Sequence, residues 1–179
     1  MRPPCREEKV LKDVSWSDPC GSGSDPANLR SCPQSLMAET GNPTQWGGGY
    51  PPRELLEEDI TSNRLFVYVV NGQLEAVFAF VLGADPTYAA IEDGGWLNDT
   101  LPYGTLHRLA SAGTRKGVAD EVIAWCAERC DSLRADTHAD NKIMQHILEK
   151  NGFARCGIIH VADGTPRIAY QKLTPAHPL

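Results

Sequence analysis

Two short β-rich runs, residues 65–70 and 74–82, flank Asn71-Gly72. A two-residue turn with both central residues at positive φ suits Asn-Gly, so the pattern predicts a type I′ hairpin. Upstream, Pro51-Pro52 opens a short acidic helix whose apolar positions are Leu55, Leu56 and Ile60. Downstream, a loop over residues 83–102, rich in Gly, Asp and aromatics, leads to a strand at 105–111. After Gly117 the period becomes helical, and Ala119, Val122, Ile123, Cys126, Ala127 and Cys130 form one apolar face. A short strand at 133–138 follows. Asp140 or Asn141 then caps a helix that points Ile143, Met144, Ile147 and Leu148 inward and ends at Gly152. Residues 153–161 and 167–173, joined through Asp163-Gly164, predict a closing hairpin.

The start of the chain lacks these periods. Over residues 1–36, Pro, Ser, Gly and Cys interrupt every apolar run, which reads as an atypical, weakly structured segment. The pattern changes at Met37, a loop over residues 41–50 leads to the first helix, and the folded domain is expected over 37–173 with a frayed tail at 174–179. A chain of 179 residues, 41% of them hydrophobic, is long enough for one domain with a buried core.

Charge and cysteine usage narrow the partners. The formal charge is -6, with Lys and Arg scattered among more numerous acids, which opposes a nucleic-acid partner and suits an amine or cationic small molecule. No run of eighteen apolar residues occurs, and Met1-Arg2-Pro3-Pro4-Cys5 is not followed by the apolar stretch of a signal peptide. The expectation is a cytoplasmic protein with no membrane partner. Cys5, Cys20, Cys32, Cys126, Cys130 and Cys156 form neither a CxxC pair nor a compact disulfide framework, so free thiols are expected. Cys5, Cys20 and Cys32 lack close pairs and a fourth ligand, so no metal is expected either. Cys126 and Cys130 lie one turn apart on the apolar face, where packing explains them.

One segment carries chemistry. Gly113-Thr114-Arg115-Lys116-Gly117-Val118-Ala119 joins a strand to a helix start, where free backbone N–H groups and the positive dipole end converge. Such a point suits a pyrophosphate; Gly117 admits it to the backbone, Ala119 allows close packing, and Arg115 and Lys116 add charge. Taken alone, the loop also reads as a solvated turn. It is no Walker loop, since Lys precedes the second Gly and no Ser or Thr follows, and it lacks the three spaced glycines of a dinucleotide fingerprint.

The order of the parts adds the missing context: hairpin, strand, Gly-Val-Ala helix start, strand, Asn-capped helix, Gly-Phe, strand. Residues 37–173 resemble the GNAT family of N-acetyltransferases. Arg115 through Ala119 are similar to its Q/R-x-x-G-x-G/A cofactor loop, and Asn141 through Gly152-Phe153 to its later N…GF segment. The stretch 137–153 resembles an uncharacterised bacterial branch of that family. The resemblance implies an α+β fold, α/β/α in layers, with a central mixed, mostly antiparallel sheet splayed between its fourth and fifth strands. It implies acetyl-CoA as co-substrate, no metal, and an amine of a small molecule or peptide as acceptor, in a monomer or homodimer. It further implies that Leu109, Ala110 and Ser111 offer backbone groups to the pantetheine and thioester, that Arg115, Lys116, Gly117, Val118 and Ala119 hold the pyrophosphate, and that Asn141 touches the arm from the far side.

The chain departs from the family in three places. Thr114 stands where a basic residue or Gln is usual, and Leu148 stands where many members carry a Tyr as general acid for the thiol. Residues 1–36 show neither the strand nor the helix with which the family begins. A frame-shifted or otherwise aberrant start is the expectation there, leaving an exposed sheet edge and an incomplete acceptor pocket. For the base that deprotonates the acceptor, His138 is first, with His107, Glu92 and Asp93 as alternatives; a hydrogen-bonded structural role is open for each. For His107 that structural role is preferred, its neighbour Arg108 pairing with a carboxylate as the two alternate across the sheet. Trp46, Tyr50, Tyr88, Trp96 and Tyr103 could wall an acceptor pocket or anchor loops. The alternative function is an acyl-CoA-binding regulatory module with little or no transfer.

Overall fold

The computed structural model describes residues 9–13 and 51–174. Its strands are β1 (Lys9–Asp13), β2 (Leu65–Val70), β3 (Gln73–Leu82), β4 (Gly104–Ser111), β5 (Ser132–Thr137), β6 (Ala154–His160) and β7 (Pro166–Leu173), and its helices are α1 (Arg53–Thr61), α2 (Val118–Ala127) and α3 (Lys142–Lys150). The strands form one mixed sheet in the order β1-β2-β3-β4-β5-β7-β6. Pairs β1–β2, β2–β3, β5–β7 and β6–β7 are antiparallel, and β4–β5 is parallel. This is the α+β, mostly antiparallel architecture that the resemblance implied. The loop over 41–50 with Trp46 and Tyr50, the cysteines at 5, 20 and 32, and the tail from 175 lie outside the described residues. β1 falls within the segment that carries no period, and pairs from Lys9–Val70 to Asp13–Phe66 along β2. Five residues with two adjacent apolar positions, Val10 and Leu11, are too few to register as an alternating pattern.

The described residues divide into two compact units, one holding 9–13, 51–79 and 108–118 and the other 80–107 and 119–174. In the first, Asn71 (φ 51°) and Gly72 (φ 80°) make the expected turn between β2 and β3. Phe66 and Phe78 sit opposite in register and stack at 5.6 Å, the cross-strand pairing that stabilises a hairpin face. α1 starts after Pro52 and buries Leu56 and Asp59.

In the second unit, residues 83–103 cross one face of the β4-β5-β7-β6 half-sheet as a strap. It contains a single 3₁₀ turn, Pro86–Tyr88, capped by Asp85, whose carboxylate accepts from the Thr87 N–H at 2.9 Å. Its core contact joins Tyr88 to Ile159 and Ala169, with Ile91, Trp96 and Tyr103 packed around them. Arg134 of β5 is only 1% exposed and lies between the rings of Trp96 (3.9 Å) and Tyr103 (3.8 Å) while pairing with Asp99 at 2.7 Å. The strap ends its crossing at the outer edge of β6, where Glu92 and Ile158 exchange two 2.8 Å backbone hydrogen bonds and the Gly95 N–H donates to the Cys156 carbonyl. Gly94 makes the approach possible: a Cβ there would lie 2.0 Å from the Cys156 carbonyl oxygen. The strap thus occupies part of an edge that would otherwise offer unpaired backbone groups.

α2 buries Val118, Val122, Ile123 and Cys126. It ends at Ala127, and Cys130, just past its end, donates its thiol to the Cys126 carbonyl at 3.4 Å. In α3, Leu148 is fully buried and Met144 and Ile147 half-buried, but Ile143 is 76% exposed. At ~100° per residue, Ile143 lies about 140° around the helix from Leu148, so it cannot share the inward face expected for it. The N–H groups of Gly152 and Phe153 donate to Glu149 and Leu148, closing α3 as a glycine-terminated helix does. Among the described residues no helix is long and apolar enough to cross a membrane.

Candidate active site

β4 carries the central irregularity. Its pairing with β5 covers Gly104–Leu133, Thr105–Arg134 and Leu106–Ala135 only, although β4 continues to Ser111 and β5 to Thr137. Backbone groups past Leu106 therefore lose the β5 ladder. Arg108 has φ 52°, which breaks the strand alternation expected for His107 and Arg108. A non-glycine residue in that region costs about 1–3 kcal/mol and persists only when its surroundings hold it. Here the holding contact is an ion pair of Arg108 with Asp59 of α1 at 2.5 Å, between side chains 11% and 4% exposed. Beyond it Ala110 is buried, and Leu109 and Ser111 are half-buried.

The following loop is built from the same unit. The Ala112 N–H donates to the Glu75 carbonyl at 2.8 Å, and the Thr114 hydroxyl donates to the Glu75 carboxylate at 2.5 Å. Thr114, where the resemblance expects a base or Gln, is therefore committed to fixing the loop. Gly113 (φ 72°) and Gly117 (φ 82°) reverse the backbone at either end, with Arg115 half-buried and Lys116 exposed between them. α2 begins at once after Gly117, so its first-turn N–H groups start from a defined turn.

In the second unit, α2 carries Asp120 and Glu121 in its first turn, which favours the helix but opposes an anion. Asp120 is countered locally. Lys150 and Asn151 at the end of α3 donate to its two oxygens at 2.7 Å each, and these bonds, that of Lys150 foremost, hold its carboxyl below the ordinary range.

His138 follows directly on β5. Its Nδ1 lies 2.5 Å from the Asp140 carboxylate, and its ring is partly open to solvent. The turn that carries it is tied to α3 by Gln145, whose amide donates to the carbonyls of His138 (3.2 Å) and Ala139 (2.9 Å). Asn141 caps α3, accepting the Met144 N–H at 3.0 Å.

His107 is placed differently. Nε2 lies 2.8 Å from Asp85 of the strap and Nδ1 3.9 Å from Asp136 of β5. The Tyr88 hydroxyl donates to Asp136 at 2.5 Å and stacks edge-on to the imidazole, while Arg167 approaches Asp136 at 3.8 Å. Burial raises the Asp85 carboxyl, but the hydrogen bond and charge of His107 with the Thr87 bonds outweigh it and bring it to about 2. Burial, then Asp136, push the Tyr88 phenol well up. Glu92 sits with its backbone bridged to the outer edge of β6, separated from β4 by β5 and β7 in the sheet order, and its side chain is exposed, as is that of Asp93. The structure thus groups His138 with Asp140, and His107 with Asp85, Asp136 and Tyr88, and brings Glu92 to neither.

No family model matches the sequence, and no curated protein matches it significantly. Solved structures do. A GNAT-family acetyltransferase from Streptococcus agalactiae is 30% identical over 93% of this chain and 96% of its own, with a TM-score of 0.71. This chain belongs to the GNAT acetyltransferase family. A GNAT-family acetyltransferase from Bacillus cereus (17% identity, 94% and 99% covered, TM-score 0.56) shares the fold, as does a chain of the NatC complex bound to Gag peptide and CoA (14% identity, 94% and 99% covered, TM-score 0.58).

As a GNAT acetyltransferase the chain is an enzyme of acetyl transfer. Leu148, at the position of the family's Tyr, is fully buried in α3, so that position presents an alkyl group to the core and no hydroxyl to a thiol. Burial raises the thiols of Cys126, Cys130 and Cys156, which leaves them poor nucleophiles. Among the described residues no group of three or more His, Cys, Asp and Glu side chains could hold a metal ion. Asp140, Asp85, Asp136 and Asp59 were not legible as partners. Only Asp140 left a signal, lying two residues from His138 in a turn where it reads equally as a helix cap.

Proposed function

We propose that this chain transfers an acetyl group from acetyl-CoA to a primary amine of a small molecule or peptide. Leu109, Ala110 and Ser111 present backbone groups to the pantetheine arm and thioester; Arg115, Lys116, Gly117, Val118 and Ala119 hold the pyrophosphate; Asn141 touches the arm. The backbone reversal at Gly117, immediately before the α2 N–H groups, suits a phosphate. The NatC relative, crystallised with CoA and a peptide, supports the same co-substrate and an amine acceptor. The observation that carries the reading is the early end of the β4–β5 ladder at Leu106 and Ala135, which leaves β4 backbone groups past it without a β5 partner.

In the reaction the neutral amine attacks the thioester carbonyl, a C–N bond forms, the C–S bond breaks, and the thiolate of CoA departs. Backbone N–H groups polarise the carbonyl as negative charge develops. His138 takes the proton of the acceptor, directly or through water, while His107 and Glu92 hold the strap. The test measures thiol release from acetyl-CoA against ethanolamine, spermidine and a short peptide with a free N-terminus, beside calorimetric titration of acetyl-CoA. Turnover with one amine, abolished or strongly reduced in His138→Ala, is expected. Unchanged turnover in that variant across roughly pH 6–9 removes His138. The buried Leu148 favours a second reading, an acyl-CoA-binding module; tight binding with no turnover for any amine would establish it.

A further inference from the structure

We infer that Asp140 is the positioning residue of His138, fixing the ring in the tautomer that carries hydrogen on Nδ1 and leaves the Nε2 lone pair to accept a proton. The inference rests on His138 as the base proposed above. An ionised carboxylate only accepts hydrogen bonds, so the 2.5 Å contact between Asp140 Oδ1 and His138 Nδ1 requires an N–H on Nδ1. The Asp140 backbone N–H also points at Nδ1, but from 3.4 Å, and the shorter, charge-assisted contact decides between the two. With Nδ1–H committed, the neutral ring carries its basic electron pair on Nε2. Free imidazole prefers the opposite tautomer, so this choice is imposed by the turn.

Two other contacts fix the geometry. Gln145 holds the carbonyls of His138 and Ala139, and Asn141 caps α3, so the turn bearing both ring and carboxylate is anchored at either end. Among the described residues the ionisable partner in contact with the ring is Asp140, and α3 presents Gln145 to the turn, an amide that does not titrate. The carboxylate also stabilises the imidazolium that forms when the proton arrives, the orienting role an acid plays behind a catalytic histidine.

The test has a direct and a kinetic arm. Nitrogen-15 correlation spectra of the histidine rings in the full chain, above the imidazole titration, report the tautomer; the His138 signals are those lost in His138→Gln. Nδ1–H is expected in the native chain and a return toward Nε2–H in Asp140→Ala; a native ring found predominantly as Nε2–H overturns the inference without any variant. In the kinetic arm, thiol release with the best amine of the panel is expected to fall about 10-fold in kcat for Asp140→Ala, with KM for acetyl-CoA unchanged. Asp140→Glu, which keeps a carboxylate on the turn, restores part of the loss. If His138→Gln is inactive while Asp140→Ala keeps the native kcat and the native Nδ1–H tautomer, the positioning role alone fails. If His138→Gln keeps full turnover, the base and its positioning residue fail together.

Discussion

Replacing Asp85 with Asn removes one charge from the clamp between strap and sheet while keeping an oxygen that can accept from His107 and Thr87. The structure sets the expected size. Holding this carboxyl from its ordinary 3.8 down to about 2 corresponds to about 2.4 kcal/mol of stability at neutral pH, at ~1.36 kcal/mol per pH unit. The retained amide oxygen lowers the loss to about 2 kcal/mol. The sign with pH follows from the depressed folded-state value: the contribution is fully present above about pH 4–5, and is lost as pH falls through the unfolded and then the folded value. At pH 3 roughly half survives, about 1.3 kcal/mol. The assay is urea unfolding of both chains at pH 7, 5 and 3, followed by tryptophan fluorescence, to which Trp96, stacked on Tyr88 in the strap at 5.6 Å, contributes. A native-minus-variant gap near 2 kcal/mol at pH 7 and 5 that halves at pH 3 is expected. A gap that is constant down to pH 3, or under about 0.5 kcal/mol at pH 7, refutes the idea that the Asp85 carboxylate, through His107 and Thr87, holds the strap.

Three further outcomes follow from buried groups. Asp59→Ala should cost about 3–5 kcal/mol in chemical denaturation, because it strands the Arg108 guanidinium at a positive-φ residue, and Asp59→Ala with Arg108→Ala should cost less than the sum of the two. Arg134→Lys should lower the melting temperature by several degrees, since an ammonium cannot lie flat between Trp96 and Tyr103 while pairing Asp99; a change within 1 °C would show that the stacking contributes little. Leu148→Tyr should lose about 1–3 kcal/mol on unfolding, with a phenol forced into a fully buried site, and gain no more than about 10-fold in kcat; a stable and much faster variant would show that the site opens to the thioester.

What was legible in the sequence is what local chemistry determines. Asn71-Gly72 dictates its turn wherever it sits, and Gly152 its helix end, so the hairpin and α3 were placed within a residue or two. The G-x-G/A loop was readable for the same reason. What was not legible depends on residues far apart in the chain: Asp59 and Arg108 are separated by 49 positions, Thr114 and Glu75 by 39, and Asp99 and Arg134 by 35. Nothing local marks Arg134, in the six-residue β5, as wholly buried between two rings. Ile143 misled because it meets the helical spacing of Ile147 while standing at the exposed first turn. The strap over 83–103 looked irregular and was; its order comes from side chains of the sheet beneath it.

The proposed reaction makes unequal demands on its two proton transfers, and the residues present match the larger one. A coenzyme thiol titrating near ~8.5 leaves as thiolate at pH 7.5 with a disadvantage of about 1.4 kcal/mol relative to the thiol. An alkylammonium acceptor near ~10.4 is about 4 kcal/mol short of its reactive neutral form at the same pH. An acid at position 148 could therefore recover about tenfold, whereas a base acts against a barrier nearly three times as large. The chain buries Leu148 where the acid would stand and sets the Asp140 carboxylate 2.5 Å from Nδ1 of His138, the base proposed for the larger task. On this reasoning its rate should climb with pH until the acceptor amine is neutral, and the loss of the family tyrosine should tell chiefly below the titration of the thiol.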